Sequence, residues 1–138
     1  MLLVKTKIGP SKIHGIGIFA DEFIPKGTIV WKFVPGFDLK LTKEGVKKLP
    51  EPAREFFLNY CYLSYDTGYY ILCTDNARFY NHSKNPNTTG VDLEDTENEG
   101  GDIATRDIKE GEEITYDYES GDADYRRKLG QPEVANMF

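Results

Sequence analysis

Arg78-Phe79-Tyr80-Asn81-His82-Ser83-Lys84-Asn85-Pro86-Asn87 gathers guanidinium, amide, imidazole and hydroxyl groups into one short run closed by an Asn-Pro turn. A run so polar ordinarily makes a surface loop. Its neighbours argue otherwise. The apolar Tyr69-Tyr70-Ile71-Leu72-Cys73 leads into it, and Gly111-Glu112-Glu113-Ile114-Thr115-Tyr116-Asp117-Tyr118 follows downstream. Read as a last strand over 113–118, that second segment points Tyr116 and Tyr118 to one face, where two residues sharing one pocket must lie. Taken alone, both tyrosines are packed strand aromatics, His82 is a satisfied structural histidine, and Ser83 and Pro86 form turns.

Composition narrows the function classes. At 138 residues the chain is expected to form one domain, 1–138, with no need of a second core. Seventeen basic against twenty-three acidic side chains give a net charge of −6. That argues against a direct nucleic-acid footprint and suits a cationic protein or peptide partner, although acidity also serves solubility alone. Cys61 and Cys73 lie in apolar surroundings without C-x-x-C spacing, so they are expected to be buried thiols rather than metal ligands. A metal protein built on His14, His82 and the cysteines lacks ligand spacing. No signal peptide and no membrane span is expected, which predicts a soluble intracellular protein, cytoplasmic or nuclear. The sequons at Asn81 and Asn87 are then accidental.

Along the chain, Leu2, Val4, Thr6 and Ile8 alternate as a strand ending at a Gly9-Pro10 turn. In Ser11 to Ala20, Gly15 and Gly17 allow positive φ or close backbone approach before Ile18 and Phe19 re-enter the core. Thr28 to Val34 reads as a β-branched and aromatic strand, with Trp31 in the core. Thr42 caps a short helix through Leu49. Pro52 opens another on which Ala53, Phe56, Phe57, Tyr60 and Cys61 recur at helical spacing. Asp92 to Gly101 is acidic and reads as a solvated hairpin tip ahead of a short strand at 102–106.

An R-F-x-N-H-S-x-x-P-N string followed by G-E-E-I-T-Y-D-Y resembles the two signature motifs of SET-domain protein-lysine methyltransferases, and His14-Gly15-Ile16-Gly17 is similar to their first motif. The resemblance runs from those glycines to about Tyr118. It implies a mainly-β, β-rich α+β fold of small curved sheets with a knot-like C-terminal threading and a short helical insert. Residues 1–36 would form an N-terminal β part, 37–66 the insert, 67–118 the cofactor and catalytic part, and 119–138 a C-terminal segment.

The same resemblance assigns roles. His14, Gly15, Ile16 and Gly17 would lie against S-adenosylmethionine, with Asn81 on its methionyl amino group, His82 on adenine and Arg78 also in reach. Tyr118 corresponds to the catalytic tyrosine and Tyr116 to the position that sets how many methyl groups are added. Tyr62 and Tyr65, with Tyr116, would line a channel for the lysine of a protein or peptide substrate, whose ammonium is attracted to aromatic faces. Position 84 is Lys where histone-directed relatives often carry Cys. The C-terminal segment has no cysteine cluster, so Tyr125, Phe138 or a partner chain would have to cover the cofactor; oligomeric state stays open.

Chemistry agrees with tyrosines at such a site. Methyl transfer to an amine is an in-line displacement that needs no metal, so positioning supplies most of the rate. The amine reacts only when neutral although a free lysine has a pKa of about 10.4, and an ionised carboxylate would favour the unreactive ammonium. A catalytically inactive SET-like module binding basic peptides is the alternative. Retention of Asn81, His82 and Tyr118 together favours the enzyme.

Overall fold

Residues 1–131 are described by a computed structural model, in which short strands form four small sheets. The first strands are β1 (Thr6–Pro10), β2 (Ile16–Ala20), β3 (Ile29–Lys32) and β4 (Leu39–Leu41), followed by helices α1 (Lys43–Lys47) and α2 (Glu51–Tyr60). Then come β5 (Tyr62–Leu63), β6 (Tyr70–Leu72), a 3-10 turn (Asn76–Phe79), β7 (Asn81–His82), β8 (Thr88–Val91) and β9 (Gly101–Ala104). β10 (Thr115–Tyr116) and the helical turns α3 (Tyr118–Gly121) and α4 (Tyr125–Lys128) complete the order.

β1 and β2 pair as an antiparallel hairpin, Thr6 opposite Ala20 and Pro10 opposite Ile16. The expected reversal at Gly9-Pro10 is thus displaced to Ser11–Gly15. Proline has no N–H to lose at a strand end, and the turn satisfies itself. Ser11 N–H donates to the Gly15 carbonyl at 2.8 Å, Ile13 N–H to the Ser11 hydroxyl at 2.9 Å, and Gly15 takes a φ of +48°. Leu2 and Val4 pack on the core as expected, whereas Ile8 is exposed.

Two larger sheets order as β3-β9-β8 and β4-β6-β5, both antiparallel, and the helical pair connects the two outer strands of the second along the chain. Successive side chains of β6 point to opposite faces. Ile71 therefore joins the main core of Ile18, Ile24, Val30, Trp31, Phe33, Ile108 and Ile114, and Leu72 joins a second cluster with Val46, Phe57 and Cys61. The single expected core is two. Both cysteines are buried and free.

Thr42 caps α1 as expected, its hydroxyl accepting Gly45 N–H at 2.9 Å. On α2 the buried stripe is rotated from the expected one. Phe57 and Cys61 are inside, worth about 1.5–3 kcal/mol for the phenyl ring, with Leu58 beside them, while Ala53 and Phe56 face solvent. The acidic segment after β8 is the tip of the β8–β9 hairpin, with Asp92, Glu94, Asp95, Glu97 and Asn98 exposed as expected, but two of its residues are tied inward. Thr96 is buried, its hydroxyl accepting Gly100 N–H, and Glu99 folds back to accept from Thr67 at 2.7 Å and pair with Lys40 at 2.9 Å.

β7 and β10 run parallel, with Asn81 beside Thr115 and His82 beside Tyr116. The chain beyond β7 is stitched to the same strand. Asn87 donates its amide to the Glu113 carbonyl at 2.8 Å and accepts Thr115 N–H at 2.9 Å, and the Thr88 hydroxyl donates to the Thr115 carbonyl. The expected strand over 113–118 is only Thr115–Tyr116, because Asp117 caps α3 through Glu119 N–H and the backbone turns helical at Tyr118.

Candidate active site

The two polar segments, brought together by β7 and β10, line two adjoining cavities whose common wall includes Tyr60, Arg78, Tyr80, Tyr118 and Lys128. One, of about 730 Å³, has His14, Gly15 and Ile16 on one wall and Arg78, Asn81, His82 and Tyr118 on another. Leu58, Asn59 and Tyr60 of α2, with Arg127, Lys128 and Leu129, close it. The other, of about 600 Å³, holds Trp31, Tyr62, Tyr65, Tyr80, Asp102 and Tyr116.

In the first cavity the Asn81 side chain is fixed by its nitrogen. Nδ2 donates to the His14 carbonyl at 3.0 Å, the Ile16 carbonyl at 3.3 Å and Glu113 Oε2 at 3.0 Å. Three acceptors around one atom settle the amide orientation and leave Oδ1 without a hydrogen bond among the described residues. Gly17 stands behind this wall rather than in it. A Cβ there would come within 2.5 Å of the Glu113 carboxylate, so glycine lets Glu113 approach Asn81 while Ser11 holds the other side at 2.7 Å. Glu113 was not singled out in the sequence, although it stands in the second signature.

His82 accepts Tyr118 N–H on Nδ1 at 3.0 Å, which requires a lone pair on that nitrogen, and its ring lies 5.2 Å from the Tyr118 ring. The Tyr118 hydroxyl donates to the Tyr80 carbonyl at 2.7 Å. Burial, with the Asp122 and Glu113 carboxylates adding to it, pushes this phenol up to about 12. Burial also pushes Tyr116 well up. The Tyr116 ring lies 4.8 Å from that of Tyr118 and 5.5 Å, edge-on, from that of Tyr80. Its convergence with Tyr118 does not come from a shared strand face. The α3 turn brings Tyr118 back, and Gly121 permits it, since a Cβ there would lie 2.9 Å from the Tyr116 ring.

Tyr62 and Tyr65, paired in the sequence reading, take different stations. Tyr62 is packed edge-on to Trp31 at 6.3 Å, whereas Tyr65 is exposed at the rim, its hydroxyl donating to the Glu119 carbonyl at 2.6 Å. Lys84 lies outside, paired with Glu119 at 2.7 Å.

The C-terminal wall was not anticipated. Asp122, fully buried, accepts Leu63 N–H at 3.0 Å and pairs with Lys128 at 2.9 Å, and the Lys128 ammonium sits 5.2 Å from the Tyr118 ring centroid. Arg127 ties α4 to α2 by donating to the Leu58 carbonyl at 2.9 Å. Tyr125 does not line the cavity of His14 and Asn81, and Phe138 lies outside the described residues. Among the described residues no three His, Cys, Asp or Glu side chains gather as metal ligands, and no helix is long and apolar enough to cross a membrane.

A SET-domain family model matches residues 15–119, most of the chain, and the chain belongs to that family. Histone-lysine N-methyltransferase ASHH3 of Arabidopsis thaliana is 32% identical over 151 aligned positions, covering 96% of this chain and 41% of the plant protein. ASHH4 of the same plant is 34% identical over 119 positions, covering 83% and 33%. The chain thus spans less than half the length of these relatives. The fold is shared with a humanised Chaetomium thermophilum Polycomb Repressive Complex 2 bound to an inhibitor, with a TM-score of 0.62 and 21% identity. That match covers 90% of this chain and 16% of the other. A candidate histone methyltransferase from Plasmodium falciparum gives 0.56 and 23%, covering 85% and 95%.

Proposed function

We propose that this chain transfers methyl groups to the side-chain amine of a lysine in a protein substrate, using S-adenosylmethionine. The cofactor, when bound, supplies a methyl group on a positively charged sulfur. His14, Gly15, Ile16, Arg78, Asn81 and His82 would hold it, with Gly17 acting from behind through Glu113. Asn81 suits this because its nitrogen is spent on the His14 and Ile16 carbonyls and Glu113, so its oxygen is the acceptor left for an amino group.

The observation that carries the proposal is the placement of Tyr118. It is one of the residues common to both cavities, and its hydroxyl proton is given to the Tyr80 carbonyl. Toward the cavities its oxygen therefore accepts. It takes an N–H from a substrate amine and weak C–H contacts from a polarised methyl. Tyr62, Tyr65 and Tyr116 form the lysine channel from inside to rim, and Tyr116 limits the space for added methyl groups. Asp66, Asp92, Asp117 and Glu119 on the same cavity favour a substrate with basic flanks.

Histones are the first substrates to try, given the plant relatives' names, and they would place the work in the nucleus. Lys84 in place of Cys keeps ribosomal and other lysine-rich proteins in view. Incubating the protein with methyl-labelled cofactor and a cell lysate, followed by mass spectrometry of lysine peptides, tests the activity. Labelled methyl-lysine on a defined protein supports it, and none at full cofactor occupancy refutes it.

A further inference from the structure

Glu113 is a half-buried carboxylate whose partners are all neutral. Oε1 accepts the Ser11 hydroxyl at 2.7 Å and Oε2 accepts Asn81 Nδ2 at 3.0 Å. Among the described residues no Lys, Arg or His pairs with it. A carboxylate drawn away from water ordinarily has a cation beside it. The cavity on the far side of Asn81 has no carboxylate in its lining, and apart from two histidines its charged side chains are Arg78, Arg127 and Lys128. Arg127 and Lys128 have carboxylates of their own in Asp124 and Asp122. Glu113 is thus an unmatched negative charge directly behind this wall.

Asn81 connects the carboxylate to the cavity. Its Nδ2 has two hydrogens for three acceptors, the His14 and Ile16 carbonyls and Glu113, and the charged one of these binds most strongly. Asn81 is only 7% exposed, yet its unbonded Oδ1 is not among the sealed polar atoms and so opens onto the cavity. An amide that donates to an anion is polarised, which strengthens its oxygen as an acceptor.

We propose that Glu113 is the counter-charge for the amino group of the cofactor's methionyl part, and that it positions this group through Asn81 rather than by contact. This rests on the use of S-adenosylmethionine proposed above. Ser11 fixes the carboxylate, Gly17 leaves room for it, and Asn81 passes its charge to the cavity. Without the carboxylate, Asn81 Oδ1 is an ordinary amide oxygen, and an ammonium in the cavity meets Arg78, Arg127 and Lys128 with nothing negative behind its acceptor. Glu113 therefore selects ligands that carry an amino group at this point.

Calorimetry at about pH 7 tests this with two ligands, S-adenosylhomocysteine and the analogue in which hydrogen replaces its amino group. Wild type should bind the first roughly tenfold or more tightly than the second, the scale of a charge-assisted hydrogen bond. In Glu113→Gln that ratio should fall to within about threefold of one, while affinity for the desamino analogue stays within about threefold of wild type. An equal loss for both ligands would make Glu113 a support of the wall alone and overturns the assignment, as does a wild-type ratio in Glu113→Gln. Should that variant not fold, Gly17→Ala decides. Gly17 has no positive φ, and a Cβ there would come within 2.5 Å of Glu113 Oε2, so the substitution displaces the carboxylate without removing it. Its ratio should fall as well, and an unchanged one overturns the assignment. A wild type that binds both ligands alike overturns the amino-group roles of Asn81 and Glu113, and one that binds neither overturns the use of S-adenosylmethionine itself.

Discussion

The Tyr118 hydroxyl donates to the Tyr80 carbonyl across 2.7 Å, which ties the end of the second signature to the residue just ahead of Asn81 in the first. Tyr118→Phe removes this bond and keeps the ring. Stability should fall by about 1 kcal/mol and cofactor affinity should hold, while kcat drops at least tenfold. Steady-state kinetics beside calorimetry with S-adenosylhomocysteine reads both. A variant that turns over at the wild-type rate would make Tyr118 a packing residue.

Asn81 offers a sharper pair of substitutions. Asn81→Ala removes donors to two carbonyls and to Glu113 and should cost roughly 1–3 kcal/mol of stability along with most of the cofactor affinity. Asn81→Asp keeps shape but sets a second carboxylate where Nδ2 now lies 3.0 Å from Glu113 Oε2, so it should bind worse near neutral pH than at about pH 5. Calorimetry at both pH values checks this, and equal affinity for Asn81→Asp and wild type would remove the residue from the cofactor site.

For Tyr116→Phe the expected outcome is a change in product. Its ring contacts with Tyr80 and Tyr118 remain, and only the hydroxyl goes. The freed space should admit a methylated amine and shift the products toward di- or trimethyl-lysine, with activity retained. Intact-mass analysis of a substrate peptide at full turnover gives the distribution. The same mixture from both proteins, or mostly trimethyl-lysine from wild type, would end the switch role.

Stability should also carry a signature of Asp102. Its folded pKa, about 7, lies above the ordinary carboxylate value near 3.9, so the neutral acid is the form the fold prefers. That contribution is present below about pH 4 and is lost as pH rises through about 7. Between about pH 5 and 8 wild type should lose roughly 1–3 kcal/mol relative to Asp102→Asn in urea unfolding. Parallel pH curves for the two proteins would mean that the carboxyl is solvated.

The two signature segments made the family legible, and with it the cavity walls at Arg78, Asn81, His82, Tyr116 and Tyr118, because their polar side chains stood out against apolar neighbours. Periodicity carried less. Strands such as Tyr62–Leu63 and Thr115–Tyr116 are too short to show a period, so the helical start at Tyr118 was read as strand. The α2 stripe was misplaced at Ala53 and Phe56 for a related reason: α2 packs on Val46 and Leu72, and nothing in its own sequence says where they lie. Glu113 and Lys128 escaped notice because their meaning is spatial. Glu113 matters through Ser11, 102 residues away, and Lys128 through a charge buried at Asp122.

The parallel pairing of β7 with β10 has a kinetic consequence. Its partners are far apart in the chain, and Asn81 reaches back 67 residues to His14, so the loop-closure entropy is lost before any cavity wall exists. Folding should be slow for a protein this small, with the wall of His14 and Asn81 among the last parts to form. A ligand seated there then holds together segments distant in the chain, and amide protons of β2, β7 and β10 should gain protection from hydrogen exchange together.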